Sequence, residues 1–240
     1  MEVREKFKSV PRLLGKLALC LLMGACGCRP TPPADLTILN GAEPSSLDPI
    51  LVTGIEELRA VLPLFEGLTR PDPRTGEASP GLAERWEISS DGRVYTFHLR
   101  TNAVWSTGGG IDASDVVYSW RRALEPTNAC QYASLLFPVR GAEAFHLSRT
   151  REFSAVGIRA EGPYRLRVEL ESPCAYFLDL CAFQTLSVVP REAIDRFGDR
   201  WVIQAAVPTS GPLSSGILAA ERSCAVAAKS ALLGCRQHAM

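Results

Sequence analysis

The sequence has no excess of charge in either direction. It holds 26 lysines and arginines against 26 aspartates and glutamates. That balance removes the broad electrostatic footprint of a nucleic-acid or anionic-membrane binder, so no nucleic-acid partner is expected. Histidine is scarce, with three in 240 residues. His98 falls in an alternating run and His146 in a polar, helix-like segment, and neither has a catalytic companion close in sequence. No CxxC pair occurs, and no histidine stands near Cys130, Cys174 or Cys181, which leaves the metal reading weak. Ser210-Gly211 lacks the nucleophile-elbow pattern, and no phosphate loop is present. Without a nucleophile–base pair a hydrolase is disfavoured. The sequence implies a non-enzyme with no cofactor.

Long apolar runs are missing too. The longest near the start, Leu17–Met23, is too short to span a bilayer, and it follows Arg4, Lys6, Lys8, Arg12 and Lys16. Basic residues before a short apolar run read as a secretory signal over residues 1–25. Met23-Gly24-Ala25-Cys26 looks like a bacterial lipobox, in which Cys26 would be lipidated and hold the chain to a membrane. Cys28 is a second candidate, and a plain signal cut near Ala25 is the alternative. Residues 26–35, with Pro30, Pro32 and Pro33, read as an extended tether. The expected location is the periplasm or cell surface.

What remains is a globular body, 46% hydrophobic over the whole chain, long enough for one good core or two small ones. Leu36–Leu39 alternates like a strand. Ile55, Leu58, Val61, Leu62 and Phe65 fall at helical spacing and predict a packed helix. From Leu64 to Arg122 the pattern reads as a helix end, a turn, a short helical piece, a hairpin and a further helix. The hairpin signal is Glu84–Ile88 and Val94–Leu99 around Asp91-Gly92. After a bend at Gly108-Gly109-Gly110, Asp112 or Ser114 can cap a helix that buries Val116, Val117, Trp120 and Leu124. Tyr164–Leu170 alternates strictly as a strand, Ser172-Pro173 opens a helix carrying Tyr176, Phe177, Leu180 and Phe183, and Arg191–Phe197 is a short helix. On that helix Cys174 and Cys181 would lie about 10 Å apart along the axis. A disulfide needs Cα atoms within roughly 7 Å, so these cysteines read as buried fillers.

Four sub-motifs recur in fixed order: Pro80-Gly81-Leu82-Ala83-Glu84 with Trp86; Asp91-Gly92 with Tyr95-Thr96-Phe97 and Leu99-Arg100; Ala103 with Trp105-Ser106; and Ala113 with Asp115-Val116-Val117-Tyr118-Ser119-Trp120. Together they resemble the family 5 extracellular solute-binding proteins, the oligopeptide and dipeptide receptors of bacterial ABC importers. The resemblance runs from about Leu36 to Pro212. It implies an α/β, periplasmic-binding-protein-like fold of type II, two-lobed, with the C-terminal lobe missing. Residues 36–65 would open lobe I, 66–189 form the small lobe, and 190–212 return to lobe I. It also implies a peptide ligand, permease subunits of an ABC importer as partners, and no catalysis. Ser46-Leu47-Asp48-Pro49 matches the family's opening motif, after which main-chain groups pair with the ligand backbone. That pairing falls on Gly54 and Ile55, with Thr53 where an acid is frequent. Tyr132, in a segment similar to the family's Y-A-S-x-L, is the side-chain candidate. The structural alternatives are a helix-entry role for Gly54 and a half-buried Tyr132 with its hydroxyl bonded locally.

Past Pro212 the family pattern stops, and residues 213–240 form an Ala-, Ser- and Cys-rich tail. Codons allowed for Leu218–Cys224, read one base later, can spell W-R-L-N-D-R-V. Those for Lys229–Met240 can spell N-P-R-Y-W-D-A-A-N-T-R. Both strings follow the family, which implies a single-base shift of frame near Pro212 and a truncated, weakly competent receptor. Read at face value, Ile217–Leu233 would be an Ala-rich amphipathic helix. A lipoprotein interaction module, or a receptor of the same family for a non-peptide ligand, is the alternative function.

Overall fold

The protein is described by a computed structural model covering residues 36–38, 40–204, 207–215 and 224–228. The expected signal segment, both candidate lipidation cysteines Cys26 and Cys28, and the tether lie outside the described residues. In chain order the elements are β1 (Leu36–Ile38), α1 (Ile55–Val61), β2 (Thr69–Pro71), β3 (Ala78–Pro80), β4 (Ala83–Ile88), β5 (Val94–Leu99), α2 (Ala113–Leu124), α3 (Ala142–His146), β6 (Ile158–Ala160), β7 (Arg165–Glu169), α4 (Phe177–Leu180), α5 (Arg191–Phe197), β8 (Leu213–Ser215) and β9 (Cys224–Ala228). Several short 3-10 turns connect them. Strands and helices are mixed throughout, as the α/β class requires.

The main sheet is antiparallel in the order β4-β5-β7-β6. Its first hairpin turns where expected: Gly92 takes φ 68°, the left-handed region that glycine enters without penalty, and Ser89 N–H donates to Val94 O at 2.9 Å. Alternation then sends Tyr95, Phe97 and Leu99 of β5 inward with Leu166 and Val168 of β7. Helix α2 lies against that inner face. Asp112, not Ser114, is its cap: the Asp112 carboxylate accepts from Ser114 N (2.7 Å) and Asp115 N (3.2 Å), and Asp115 accepts from Asp112 N (3.0 Å). This reciprocal arrangement satisfies donors that the first turn cannot pair internally. Val116, Trp120 and Leu124 are fully buried, while Val117 is only half-buried. The Trp120 indole N–H donates to Leu186 O at 2.9 Å, so its burial leaves no orphaned donor.

Four expectations are corrected. No short helix precedes the hairpin; β2 and β3 pair antiparallel instead. Asp72 turns the chain by accepting from Arg74 N (2.8 Å) and Thr75 N (3.2 Å). The N–H groups of Gly81, Leu82 and Ala83 are then taken by the carbonyls of Leu68 and Gly67, so they cannot enter a helical ladder. Gly81 is needed there, because a Cβ would sit 2.7 Å from Gly67 O. The second correction is at α1, which stops at Val61, just ahead of Pro63. Ile55 is 62% exposed and Leu62 50%, so the packed face is Ala60, Val61, Leu64 and Phe65. The third is the helix after Pro173, which shrinks to Phe177–Leu180 with Tyr176 exposed. Thr69 Oγ1 donates to Leu178 O at 2.6 Å, and the following N–H groups reach back only three residues, Ala182 to Asp179 and Phe183 to Leu180. The fourth is the tail. Residues 224–228 form a strand paired with β1 and β8, not part of an Ala-rich helix. Sheet partners on both sides override alanine's helix preference, as tertiary context routinely does. The rest of that expected helix lies outside the described residues.

Two separate apolar cores result. One gathers Leu68 to Val188, with Phe97, Trp120 and Phe177 at its centre, and takes in Ile50. The other joins Leu47–Phe65 to Val189–Val207 around Trp201, whose ring meets Phe65 edge-on at 5.6 Å. Cys130, Cys174 and Cys181 are free and buried in the first core, as fillers should be. Burial pushes the Cys130 thiol up to about 11 and Cys181 well above the ordinary thiol value.

Candidate functional site

The segment that delivers Gly54 and Ile55 is held by one buried carboxylate. Asp48 is 3% exposed. Its Oδ1 accepts from Arg122 Nη1 (2.9 Å) and from Ile50 N (3.3 Å), and its Oδ2 accepts from Arg122 Nη2 (2.6 Å) and Trp201 Nε1 (3.0 Å). The fork-on-fork contact with Arg122 is the strongest form of this pair. Three stretches distant in sequence therefore meet at one side chain: the Ser46–Pro49 loop, the end of α2, and the second core. Ser46 Oγ accepts from Asp48 N at 3.0 Å and Asp48 O accepts from Leu51 N at 2.9 Å, so the loop is fixed locally as well.

Gly54 is the N-cap of α1, in extended conformation, with no side chain to cap the helix. Glu57, in the first turn, ties the helix to the preceding loop. Its Oε1 accepts from Ser45 Oγ (2.8 Å) and Ser45 N (3.2 Å). The Ser45 hydroxyl, assisted by backbone N–H groups, holds the Glu57 carboxyl below its ordinary value. Its Oε2 lies over Gly54, where an added Cβ would run into it, and carries no hydrogen bond. The helix-entry role is thus real, and it coexists with an exposed Ile55 at the next position. Ile55 N–H, first in the helix, has no acceptor inside the helix.

Tyr132 precedes the 3-10 turn Ala133–Leu136 and is half-buried, its ring edge-on to Phe183 at 5.5 Å. Its hydroxyl has no hydrogen bond among the described residues, so of the structural alternative only the half-buried ring is seen. No hydrogen bond or ring contact joins Tyr132 to Gly54 or Ile55 among the described residues. The His98 ring, without a companion close in sequence, gains two across the hairpin: Arg85 Nη2 donates to Nδ1 (3.1 Å) and Nε2 donates to Glu87 Oε1 (2.9 Å). This set lies on the outer, solvent-facing side of the sheet, away from Tyr95 and Phe97.

The two cores meet at a joint that sequence reasoning missed. Val188 N–H donates to Glu66 O at 3.0 Å. Ser210 Oγ accepts from Glu66 N (3.1 Å) and donates to Val188 O (2.9 Å), tying both crossing segments together. Gly211 packs behind it, its N–H on Leu64 O at 2.8 Å, and a Cβ there would lie 2.6 Å from Pro63 O. Asp48 stood in a quoted motif, while Arg122 and Ser210 were named without a partner. Nothing in a linear pattern links positions so far apart.

The family model for bacterial extracellular solute-binding proteins, family 5, middle part, matches residues 77–213. The chain belongs to that family. Among relatives, it is 38% identical over 179 residues to the periplasmic oligopeptide-binding protein OppA of Salmonella typhimurium, covering 72% of this chain and 32% of that protein. It is 37% identical over 164 residues to the probable deoxycholate-binding periplasmic protein YgiS of Escherichia coli, covering 68% of this chain and 30% of that one. Among solved structures, Haemophilus influenzae OppA in complex with the peptide RPPGFSPFR superposes with a TM-score of 0.69 at 34% identity, over 73% of this chain and 34% of that chain. This family member therefore spans about a third of the length of the curated relatives it matches. Those relatives are named as solute-binding proteins, not as enzymes.

Proposed function

We propose that this chain is the N-terminal part of the substrate-binding component of an ABC-type peptide importer. In this reading it presents the main chain of Gly54 and Ile55, and the side chain of Tyr132, to a peptide ligand. The observation that carries the reading is how Gly54 and Ile55 are presented. Asp48 locks the preceding loop, while the first N–H of α1 stays outside the helical ladder and Ile55 turns outward, 62% exposed. Main-chain pairing suits a receptor of many sequences, since every peptide offers the same N–H and C=O groups. The peptide-bound relative supports the same choice of ligand class. Delivery to permease subunits of an importer, anchoring through lipid on Cys26 or Cys28, and a place at the periplasmic or outer cell surface complete the proposal. The chain spans about a third of a relative's length, and since closure on a ligand takes both lobes, residues 36–212 on their own are expected to hold peptide weakly. A second reading, a receptor for a non-peptide ligand, draws on the relative named for deoxycholate.

The test is Ile55→Pro. Proline at the first helical position removes one N–H and is otherwise favoured there. Gly54, at φ −103° and ψ 165°, already has the extended backbone that a following proline demands. Calorimetric titration with N-acetylated, C-amidated trialanine, trilysine and triglutamate, which lack terminal charges, should show affinities near ~1 mM that differ little among the three. Ile55→Pro should abolish them while leaving the melting temperature unchanged, and Tyr132→Ala should weaken them. Binding that survives Ile55→Pro, or heat from only one of the three peptides, would overturn the main-chain reading.

A further inference from the structure

An open cavity of about 490 Å³ runs along the outer face of α2, bordered by Phe153, Ala160 and residues of α5. Its volume suits a small organic ligand. Gly54, Ile55 and Tyr132 do not line it, so it is distinct from the peptide site proposed above.

The charges around this cavity are matched, with two exceptions. Arg122 is committed to Asp48. Arg191 pairs with Asp195 at 3.3 Å and lies 5.4 Å over the Tyr118 ring, while the Tyr118 hydroxyl donates to Asp195 at 3.4 Å. That end is a closed, neutral set. Arg121 and Glu125 are different. They stand one helical turn apart, a spacing at which Arg and Glu ordinarily pair, and neither has an ion-pair partner among the described residues. One contact draws Arg121 aside. The Arg121 guanidinium lies 5.5 Å over the Phe153 ring. Glu125 is the C-cap of α2, where the chain turns away at ψ 119°. One unmatched cation and one unmatched anion therefore face a single cavity. A guanidinium backed by an aromatic face keeps its N–H edges free for a carboxylate.

We propose that this cavity binds a small zwitterion of the amino-acid class, its carboxylate on Arg121 and its ammonium on Glu125. The site is independent of the peptide reading, because it uses neither the Gly54–Ile55 main chain nor Tyr132.

The experiment titrates the full chain with δ-aminovalerate, valerate and butylamine, followed by calorimetry and by chemical-shift changes of the Arg121 and Tyr118 signals. None of these probes contains a peptide bond, so none can pair with main-chain groups as a peptide does. Saturable binding of δ-aminovalerate is expected, with valerate and butylamine each at least about tenfold weaker, as the loss of one charge-assisted contact implies. Arg121→Gln should abolish binding of δ-aminovalerate and valerate. Glu125→Gln should bring δ-aminovalerate down to the affinity of valerate. Both positions sit at the surface end of α2, and circular dichroism checks that the variants fold. Absence of saturable binding, equal binding of the three probes, or indifference to Arg121→Gln would overturn the proposal. Failure of the peptide reading, by contrast, would appear only in the Ile55→Pro titrations.

Discussion

Replacing Arg122 with methionine removes the guanidinium and leaves a carboxylate stranded. Asp48, 3% exposed, would keep only the Trp201 indole N–H and the Ile50 N–H. Breaking one side of a buried ion pair costs about 3–5 kcal/mol, because the remaining charge stays desolvated without compensation. At about 2–4 °C per kcal/mol for a chain of this size, the melting temperature should fall by about 6–20 °C. The more informative quantity is the coupling. Asp48→Asn with Arg122→Met leaves no stranded charge, so the double variant should lose less than the sum of the two singles, by about 1–3 kcal/mol. Urea unfolding of the four proteins, followed by Trp fluorescence, measures every arm, since Trp201 reports on the site directly. If each single variant cost under about 1 kcal/mol, as exposed pairs do, and the losses simply added, the carboxylate would not be the anchor described.

Two further outcomes rest on the same reasoning. Ser210→Ala strands the Glu66 N–H and the Val188 carbonyl at the joint, and should cost about 2 kcal/mol in chemical unfolding; a loss below about 0.5 kcal/mol would place the joint's strength elsewhere. Glu57 has a folded-state pKa held below its ordinary value, chiefly by the Ser45 hydroxyl. Its contribution is full above the unfolded-state value of about 4.3 and is lost as pH falls through the lower folded value. The stability gap between the native chain and Glu57→Gln should therefore be widest near neutrality and close in acid, and a gap independent of pH would refute this.

How much of this could be read in one dimension depended on range. Local signals carried their elements well. Asp91-Gly92 turned the hairpin, Asp112 capped α2, and the alternation of Tyr95, Phe97 and Leu99 chose the buried face. Where backbone groups had a distant alternative partner, local reading failed. Gly81–Ala83 gave their N–H groups to Gly67 and Leu68, Thr69 took the Leu178 carbonyl, and residues 224–228 found two strands to join. The outward turn of Ile55 was likewise hidden, because helical spacing alone cannot say which side meets a core. The site shows the same division. Gly54, Ile55 and Tyr132 are proposed from motif order. The residues that fix the loop ahead of Gly54, Asp48 with Arg122 and Trp201, became visible only when positions 74 and 153 residues apart proved to be neighbours.

The division of the two cores also sets an order of assembly. Among the described residues, and apart from Ile50, the first core draws only on Leu68 to Val188, a continuous piece of chain that can condense as soon as it is present. The second cannot. Leu47, Val61 and Phe65 precede that whole piece, and their partners Val189, Trp201 and Val207 come after it. A chain emerging N-terminus first therefore holds an apolar surface unsatisfied while more than a hundred residues go by. Long-range closure of this kind is slow, and the waiting surface is prone to association. The central piece would act as a folded insert that brings the two halves of the second core within reach. Arrival of Trp201 at Asp48 would then be the event that ends the exposure.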